Sequence, residues 1–105
     1  MSYDLLVSIS PLAKHCPAIV GAIEFDDLTP LKGISERHRC WLFDRLLNYY
    51  EDQSFTIAEL HKAVDIIDSA ILAEHGEPER RILYKISAIF SMAIRKNLPV
   101  HGVAD

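Results

Sequence analysis

Residues 55–97 read FTIAELHKAVDIIDSAILAEHGEPERRILYKISAIFSMAIRKN and carry the strongest local signals in the chain. Thr56 and Glu59 have the spacing of a capping box, in which two side chains satisfy backbone N–H groups at the start of a helix. Apolar residues then recur at helical spacing in two stretches, which are separated by a Gly-Glu-Pro segment. The sequence therefore predicts helices over 56–75 and 78–97. Because the linker between them is short, we expect the two helices to pair as an antiparallel hairpin.

A third helix is predicted upstream, over residues 35–51, where the chain has neither Gly nor Pro. Ser35 is a candidate N-cap for this helix. Its apolar side chains cover about 240° of the helix circumference, which is far more than the stripe that one neighbouring helix would bury. We therefore expect this helix either to contact two neighbours or to leave apolar surface for a partner.

The first 34 residues are ambiguous. Residues 3–9 alternate as a strand does, and residues 18–25 form a short apolar run that suits a strand or a buried helix. Because three helices follow, we predict an all-α protein, a small bundle whose N-terminal part consists of short helices. The alternative is an α+β fold with an N-terminal β-hairpin.

Length and composition limit the class of protein. With 105 residues, half of them apolar, the chain is long enough for one hydrophobic core and too short for two. We expect a single domain over residues 1–105, with a loop at residues 26–33 and a flexible tail at residues 99–105.

Charge and hydropathy exclude further classes. The formal net charge is −4, whereas nucleic-acid binders usually carry a strong basic patch. No apolar run reaches the roughly 18 residues that a membrane span needs. The start of the chain lacks a basic segment followed by an apolar stretch, so a cytoplasmic protein is expected.

Motifs for chemistry are weak. The adjacent His15 and Cys16, together with His38 and Cys40, supply metal-ligating atoms, but neither spacing places two ligands on one side of a helix or turn. The sequence contains no glycine-rich phosphate loop and no Gly-x-Ser-x-Gly nucleophile motif. We therefore predict a non-enzymatic protein with no catalytic residues, no metal and no cofactor.

The positive functional signal is an aromatic-rich segment with interleaved arginines, because Trp, Tyr and Arg are enriched at protein-binding hot spots. The predicted protein interface consists of Arg39, Trp41, Phe43, Leu47, Tyr49 and Tyr50. Phe43, Leu47 and Tyr50 lie on the far side of the predicted helix from Trp41, which makes them the better candidates. The sequence thus favours a regulatory or adaptor protein that binds another protein, as a homodimer.

The alternative function is a small helix-turn-helix-like transcriptional regulator that uses the helix around Thr56. Residues 55–61 suit the first helix of that motif, which needs a short turn before the recognition helix. Residues 64–68 continue the helical pattern instead. The acidic balance of this part of the chain also disfavours DNA, so protein binding is the leading prediction.

Overall fold

A computed structural model describes residues 2–7, 19–48 and 50–104 of the chain. Over these residues the chain forms four strands and four α-helices, with a single 3₁₀ turn at Phe25–Asp27. In chain order the elements are β1 (Ser2–Val7), β2 (Ile19–Glu24), α1 (Leu28–Arg37), α2 (Trp41–Leu47), β3 (Gln53–Phe55), α3 (Ile57–Ala73), α4 (Glu77–Lys96) and β4 (Val100–Ala104).

The two C-terminal helices are confirmed, with ends within two residues of the predicted ones. The capping box at the start of α3 is formed, since the Glu59 N–H donates to Thr56 Oγ1 over 3.2 Å and the Thr56 N–H donates to Glu59 Oε1 over 2.9 Å. Asn97 ends α4 in the left-handed conformation at φ 57°. The two helices pack on each other, and α4 also contacts α1, β1 and β2.

The predicted all-α bundle is wrong, because the strands form one antiparallel sheet in the order β2-β1-β4-β3. The N-terminal β-hairpin of the alternative α+β fold is confirmed as β1 paired with β2. The residues of β1 that alternate towards the helices, Tyr3, Leu5 and Val7, are all buried in the core. The period-2 pattern at the start of the chain therefore reports a strand with one face on the core.

The C-terminal segment, expected to be a flexible tail, instead forms strand β4 over Val100–Ala104. This strand pairs with β1 on one side and with β3 on the other. Val100 and Gly102 are buried within it. The expectation was wrong because a strand between two partners is held by hydrogen bonds to residues distant in the sequence, and local residue types do not report those bonds.

The predicted helix over 35–51 is also wrong, because the chain turns at residues 38–40 and forms two helices. Helix α1 begins at Leu28, where a loop was expected, and Pro30 is accommodated in its first turn, where no backbone N–H is needed. The turn lets α2 direct three apolar side chains into the core with no exposed surface, and these are Leu42, Phe43 and Leu46. A straight helix would have left part of this wide apolar arc in solvent.

Both outer edges of the sheet receive a basic side chain from a helix. Lys85 of α4 donates to the Ala22 carbonyl on β2 over 3.1 Å, and Arg45 of α2 donates to the Ser54 carbonyl on β3 over 2.5 Å. Charged side chains at a sheet edge oppose pairing with a strand from another molecule. The described strands are therefore poorly suited to recruiting a partner by edge pairing.

Candidate protein-interaction surface

The structure separates the predicted interface residues into three groups. Phe43 is fully buried and belongs to the core, so its prediction as an interface residue is wrong. Trp41 and Leu47 are half-buried and pack partly against the core. Arg39 is exposed, and Tyr50 is 70% exposed. Tyr49, the sixth predicted residue, lies outside the described residues.

A polar pocket of about 210 Å³ lies beside the turn between α1 and α2. It is lined by Ser35, Glu36, Arg39 and Asp44, so one cation and two carboxylates face the same small volume. The Ser35 hydroxyl donates to Asp44 Oδ1 over 3.5 Å, which links the two helices across the pocket. Trp41 and Asp44 are three positions apart on α2 and are therefore neighbours on its surface.

We refer to the exposed and half-exposed side chains of this region as the α1–α2 surface. Its members are Glu36, Arg39, Trp41, Asp44, Leu47 and Tyr50. The surface combines aromatic and aliphatic groups with charges of both signs, which is the composition typical of the core and rim of a protein interface.

Arg45 anchors α2 to β3 and to the start of α3. Its guanidinium donates to Gln53 Oε1 over 3.0 Å, to Glu59 Oε2 over 2.6 Å and to the Ser54 carbonyl. It also lies over the ring of Phe55, with 4.2 Å between the guanidinium carbon and the ring centroid. This planar, multiply bonded geometry suits Arg and not Lys.

The same guanidinium contacts the ring of Trp41 at 5.9 Å from the centroid. The Arg45 guanidinium therefore makes a cation–π contact with the Trp41 ring, while part of the indole remains accessible to solvent. A backbone hydrogen bond from Thr56 is the main cause that lowers the pKa of Glu59, and Arg45 contributes in the same direction. Glu59 thus stays ionised as the partner of Arg45 near neutral pH.

A second polar cluster fixes the turn between α1 and α2. Glu74, directly after the last residue of α3, is only 5% exposed. Its carboxylate accepts hydrogen bonds from Arg37 Nε over 2.9 Å and Arg37 Nη2 over 2.6 Å, and it contacts His38 Nε2 at 2.7 Å. The hydrogen bonds from Arg37 are the main cause that lowers the pKa of Glu74, despite the opposing effect of burial.

The depressed pKa of Glu74 makes its contribution to stability depend on pH. We expect Glu74→Gln to lower the free energy of unfolding at pH 7 by about 2 kcal/mol, because Arg37 and His38 lose a charged acceptor. A group whose pKa falls on folding stabilises fully above its unfolded value, here 4.5, and the effect disappears as pH falls through the folded value. Urea unfolding at pH 7 and at pH 3 measures the free energy of unfolding of the variant and the wild type. The difference between the two proteins should be smaller at pH 3 than at pH 7.

Glu77→Gln is the matched control for this measurement. The Glu77 side chain is 84% exposed and pairs with the exposed Arg81 on its own helix. Exposed pairs of this kind contribute little, so Glu77→Gln should change stability slightly at both pH values. An effect of Glu74→Gln that is equally large at pH 3 and pH 7 would contradict the ionised contact.

Neither Glu74 nor Arg45 was a candidate from sequence. Glu74 meets its partners across 36 and 37 positions of the chain, and Arg45 meets Glu59 across 14. Local spacing reports neighbours within a helix or hairpin, so it gives no signal for contacts at such distances. The sequence carries no local signal for Glu74 beyond its place directly after α3.

Among residues 2–7, 19–48 and 50–104, no group of three or more His, Cys, Asp or Glu side chains is arranged to hold a metal ion. His15 and Cys16 lie outside the described residues, and Cys40 is a half-buried free thiol. Within the described part of the chain, no helix is both long and apolar enough to cross a lipid bilayer.

Comparisons with protein-family models, with curated proteins and with solved structures give no match to this chain.

Proposed function

We propose that the protein is a non-enzymatic interaction protein that forms a homodimer through the α1–α2 surface. The observation that supports this most directly is the pocket in which Arg39 faces Glu36 and Asp44, next to the partly accessible Trp41. Tyr50, with 70% of its surface exposed, adds a large amphipathic ring a few residues beyond α2. Such rings contribute strongly when a partner excludes water from them.

A second copy of the chain is the partner that fits the charges. In a two-fold dimer the same patch contacts itself, so residues that pair across the axis must carry complementary properties. The α1–α2 surface meets this condition because it presents one exposed arginine and two exposed carboxylates. Arg39 of one copy can therefore meet Asp44 or Glu36 of the other, twice per dimer.

Other modes of association are less well supported by the fold. Pairing through a sheet edge is opposed by Lys85 at β2 and by Arg45 at β3. The four large apolar side chains exposed among the described residues are Phe25, Tyr50, Leu72 and Tyr84. Of these, only Tyr50 lies in the α1–α2 surface, so the other three provide sites for control substitutions.

Sedimentation velocity from 1 to about 100 µM, the range in which weak interfaces dissociate, tests the proposal. The wild type should sediment as a dimer at the upper concentrations. Arg39→Glu should raise the dissociation constant by about tenfold or more, because it places like charges opposite each other at two equivalent positions. Lys62→Glu, an equal change of charge at an exposed position of α3, should leave the constant unchanged.

A charge exchange makes the test specific for the orientation of the two copies. Arg39→Glu combined with Asp44→Arg should restore much of the affinity that Arg39→Glu removes. Tyr50→Ser should weaken the dimer, whereas Tyr84→Ser, at a tyrosine that is 52% exposed on α4, should not. A wild-type chain that stays monomeric throughout the concentration range would refute the proposal.

Nucleic-acid binding is a second candidate, favoured by one observation. Helices α1 and α2 are joined only by residues 38–40, a turn length typical of the helix-turn-helix motif. The sequence placed the helix-turn-helix motif around Thr56, but the helix that begins there continues without a break to Ala73. The turn at residues 38–40 lies elsewhere in the chain. A shift of duplex DNA that weakens steeply with salt would favour this candidate; the exposed Asp44 on α2 and the net charge of −4 disfavour it.

A further inference from the structure

We infer that Glu74 is a positioning residue for the α1–α2 surface. Its carboxylate binds the turn at residues 38–40, which we call the corner, and so helps to fix the positions of Arg39 and Trp41. This inference rests on the proposed dimer and names the residue that pre-organises its interface. Glu74 itself is 5% exposed, so it acts through its neighbours and is not expected to touch the partner.

The contacts of Glu74 converge on the corner. Arg37 is the last residue of α1, and His38 is the first residue of the turn. Arg37 donates through Nη2 to Oε1 and through Nε to Oε2, and the His38 ring nitrogen Nε2 lies 2.7 Å from the same Oε2. A bidentate contact of this kind fixes the orientation of the guanidinium as well as its distance from the carboxylate.

The other contacts around this turn are apolar or weak. Cys40 and Trp41 pack partly against the core, Arg45 lies over the Trp41 ring, and the Ser35 hydroxyl reaches Asp44 only at 3.5 Å. Cys40 precedes α2 without a side-chain hydrogen bond to cap the helix, and the first backbone bond of α2 is long, at 3.4 Å from the Asp44 nitrogen to the Cys40 oxygen. Among the described residues, the side-chain hydrogen bonds that leave residues 37–40 for another element all end on Glu74.

Because Glu74 is buried, its carboxylate requires charged or hydrogen-bonding partners. A carboxylate removed from water is strongly destabilised unless such partners surround it, so the turn at residues 38–40 is favoured in the arrangement that brings Arg37 and His38 to Glu74. Arg39 and Trp41 follow within three residues of that point. Their positions on the surface therefore depend in part on Glu74, a side chain at the end of α3, in addition to the packing of Trp41 on Arg45 and the core.

Glu74→Gln tests the inference, with two measurements. Sedimentation velocity should show a dissociation constant raised by about tenfold, at a temperature where circular dichroism shows the monomer still folded. Trp41 is the only tryptophan in the chain, so its fluorescence reports the α1–α2 surface directly. Quenching of Trp41 by acrylamide should increase in the Glu74→Gln monomer, measured at a concentration too low for dimers.

Two controls separate positioning from general loss of stability. Ile67→Val removes one methylene from the core of α3 and should lower stability without changing the dissociation constant or the quenching. Glu77→Gln, an exposed position nearby, should change neither measurement. If Glu74→Gln does not fold, Arg37→Lys replaces it, because this change keeps the charge and removes the bidentate contact. It should raise the dissociation constant and the quenching of Trp41 by smaller amounts than expected for Glu74→Gln.

The measurements distinguish failure of the proposed dimer from failure of the positioning role of Glu74. A wild type that remains monomeric removes the proposed dimer and this inference with it. A wild-type dimer whose affinity is unchanged by Glu74→Gln or Arg37→Lys refutes the positioning role and leaves the dimer standing. Equal weakening by Ile67→Val would assign the effect to stability alone and would also refute the role.

Discussion

Phe43→Ala should lower the free energy of unfolding by about 3–5 kcal/mol, the usual cost of removing a buried phenylalanine ring. Phe43 has no exposed surface and lies in the same core cluster as Leu31, Leu60 and Phe90. Because α2 has only seven residues, it depends on burial of such side chains and not on its own backbone hydrogen bonds. Urea unfolding followed by circular dichroism, at a fixed protein concentration, measures the loss.

Tyr50→Ala is the comparison for Phe43→Ala. The two residues were joint candidates from sequence, yet one is fully buried and the other is 70% exposed. Tyr50→Ala should change the stability of the monomer by about 0.5 kcal/mol or less, as is usual for exposed positions. A cost below about 1 kcal/mol for Phe43→Ala would contradict its place in the core.

Gly102→Ala should lower the free energy of unfolding by about 3 kcal/mol, because the added methyl group would overlap a buried ring. Gly102 lies in β4, between Leu5 of β1 and Gln53 of β3. A Cβ atom at this position would overlap the ring and the hydroxyl oxygen of Tyr3. The ring is unable to retreat, since Tyr3 is 1% exposed and its hydroxyl donates to the Glu51 carbonyl over 3.0 Å.

A double-mutant cycle checks the cause of this loss. In a Tyr3→Leu background, Gly102→Ala should cost much less than in the wild type, because the overlapping ring is gone. Gly33→Ala is the control: the atoms nearest to its Cβ would belong to the Arg37 guanidinium, at 3.2 Å or more, and that long side chain can shift by the few tenths of an ångström required. Gly33→Ala should change stability by no more than about 1 kcal/mol. An equal cost of Gly102→Ala in both backgrounds would show that Tyr3 is not responsible.

The burial of Tyr3 has a further measurable consequence. Burial, with a smaller contribution from the charge of Asp52, raises the pKa of Tyr3 to about 12. The phenol therefore remains a neutral donor to the Glu51 carbonyl at neutral pH and well above it. This contact ties the first strand to the segment just before β3.

The sequence alone determined the parts of the fold whose causes are local. The capping box of Thr56 and Glu59 and the apolar stripes act over a few residues, so α3 and α4 were placed to within two residues of their ends. The alternation in β1 likewise revealed a strand, although the preference for helices made the hairpin only the alternative. The aromatic-rich segment was recognised for the same reason, because composition is visible without a fold.

Only the tertiary structure decided the features that join distant residues. Strand β4 exists because β1 and β3 offer hydrogen bonds on both sides, and Gly102 within it weakens any local signal for a strand. The corner at residues 38–40 lets α2 bury Phe43, and Glu74 holds it from 36 positions away. Which rings of the aromatic-rich segment reach solvent depends on where that corner bends the chain, and the residues of the segment do not carry that information.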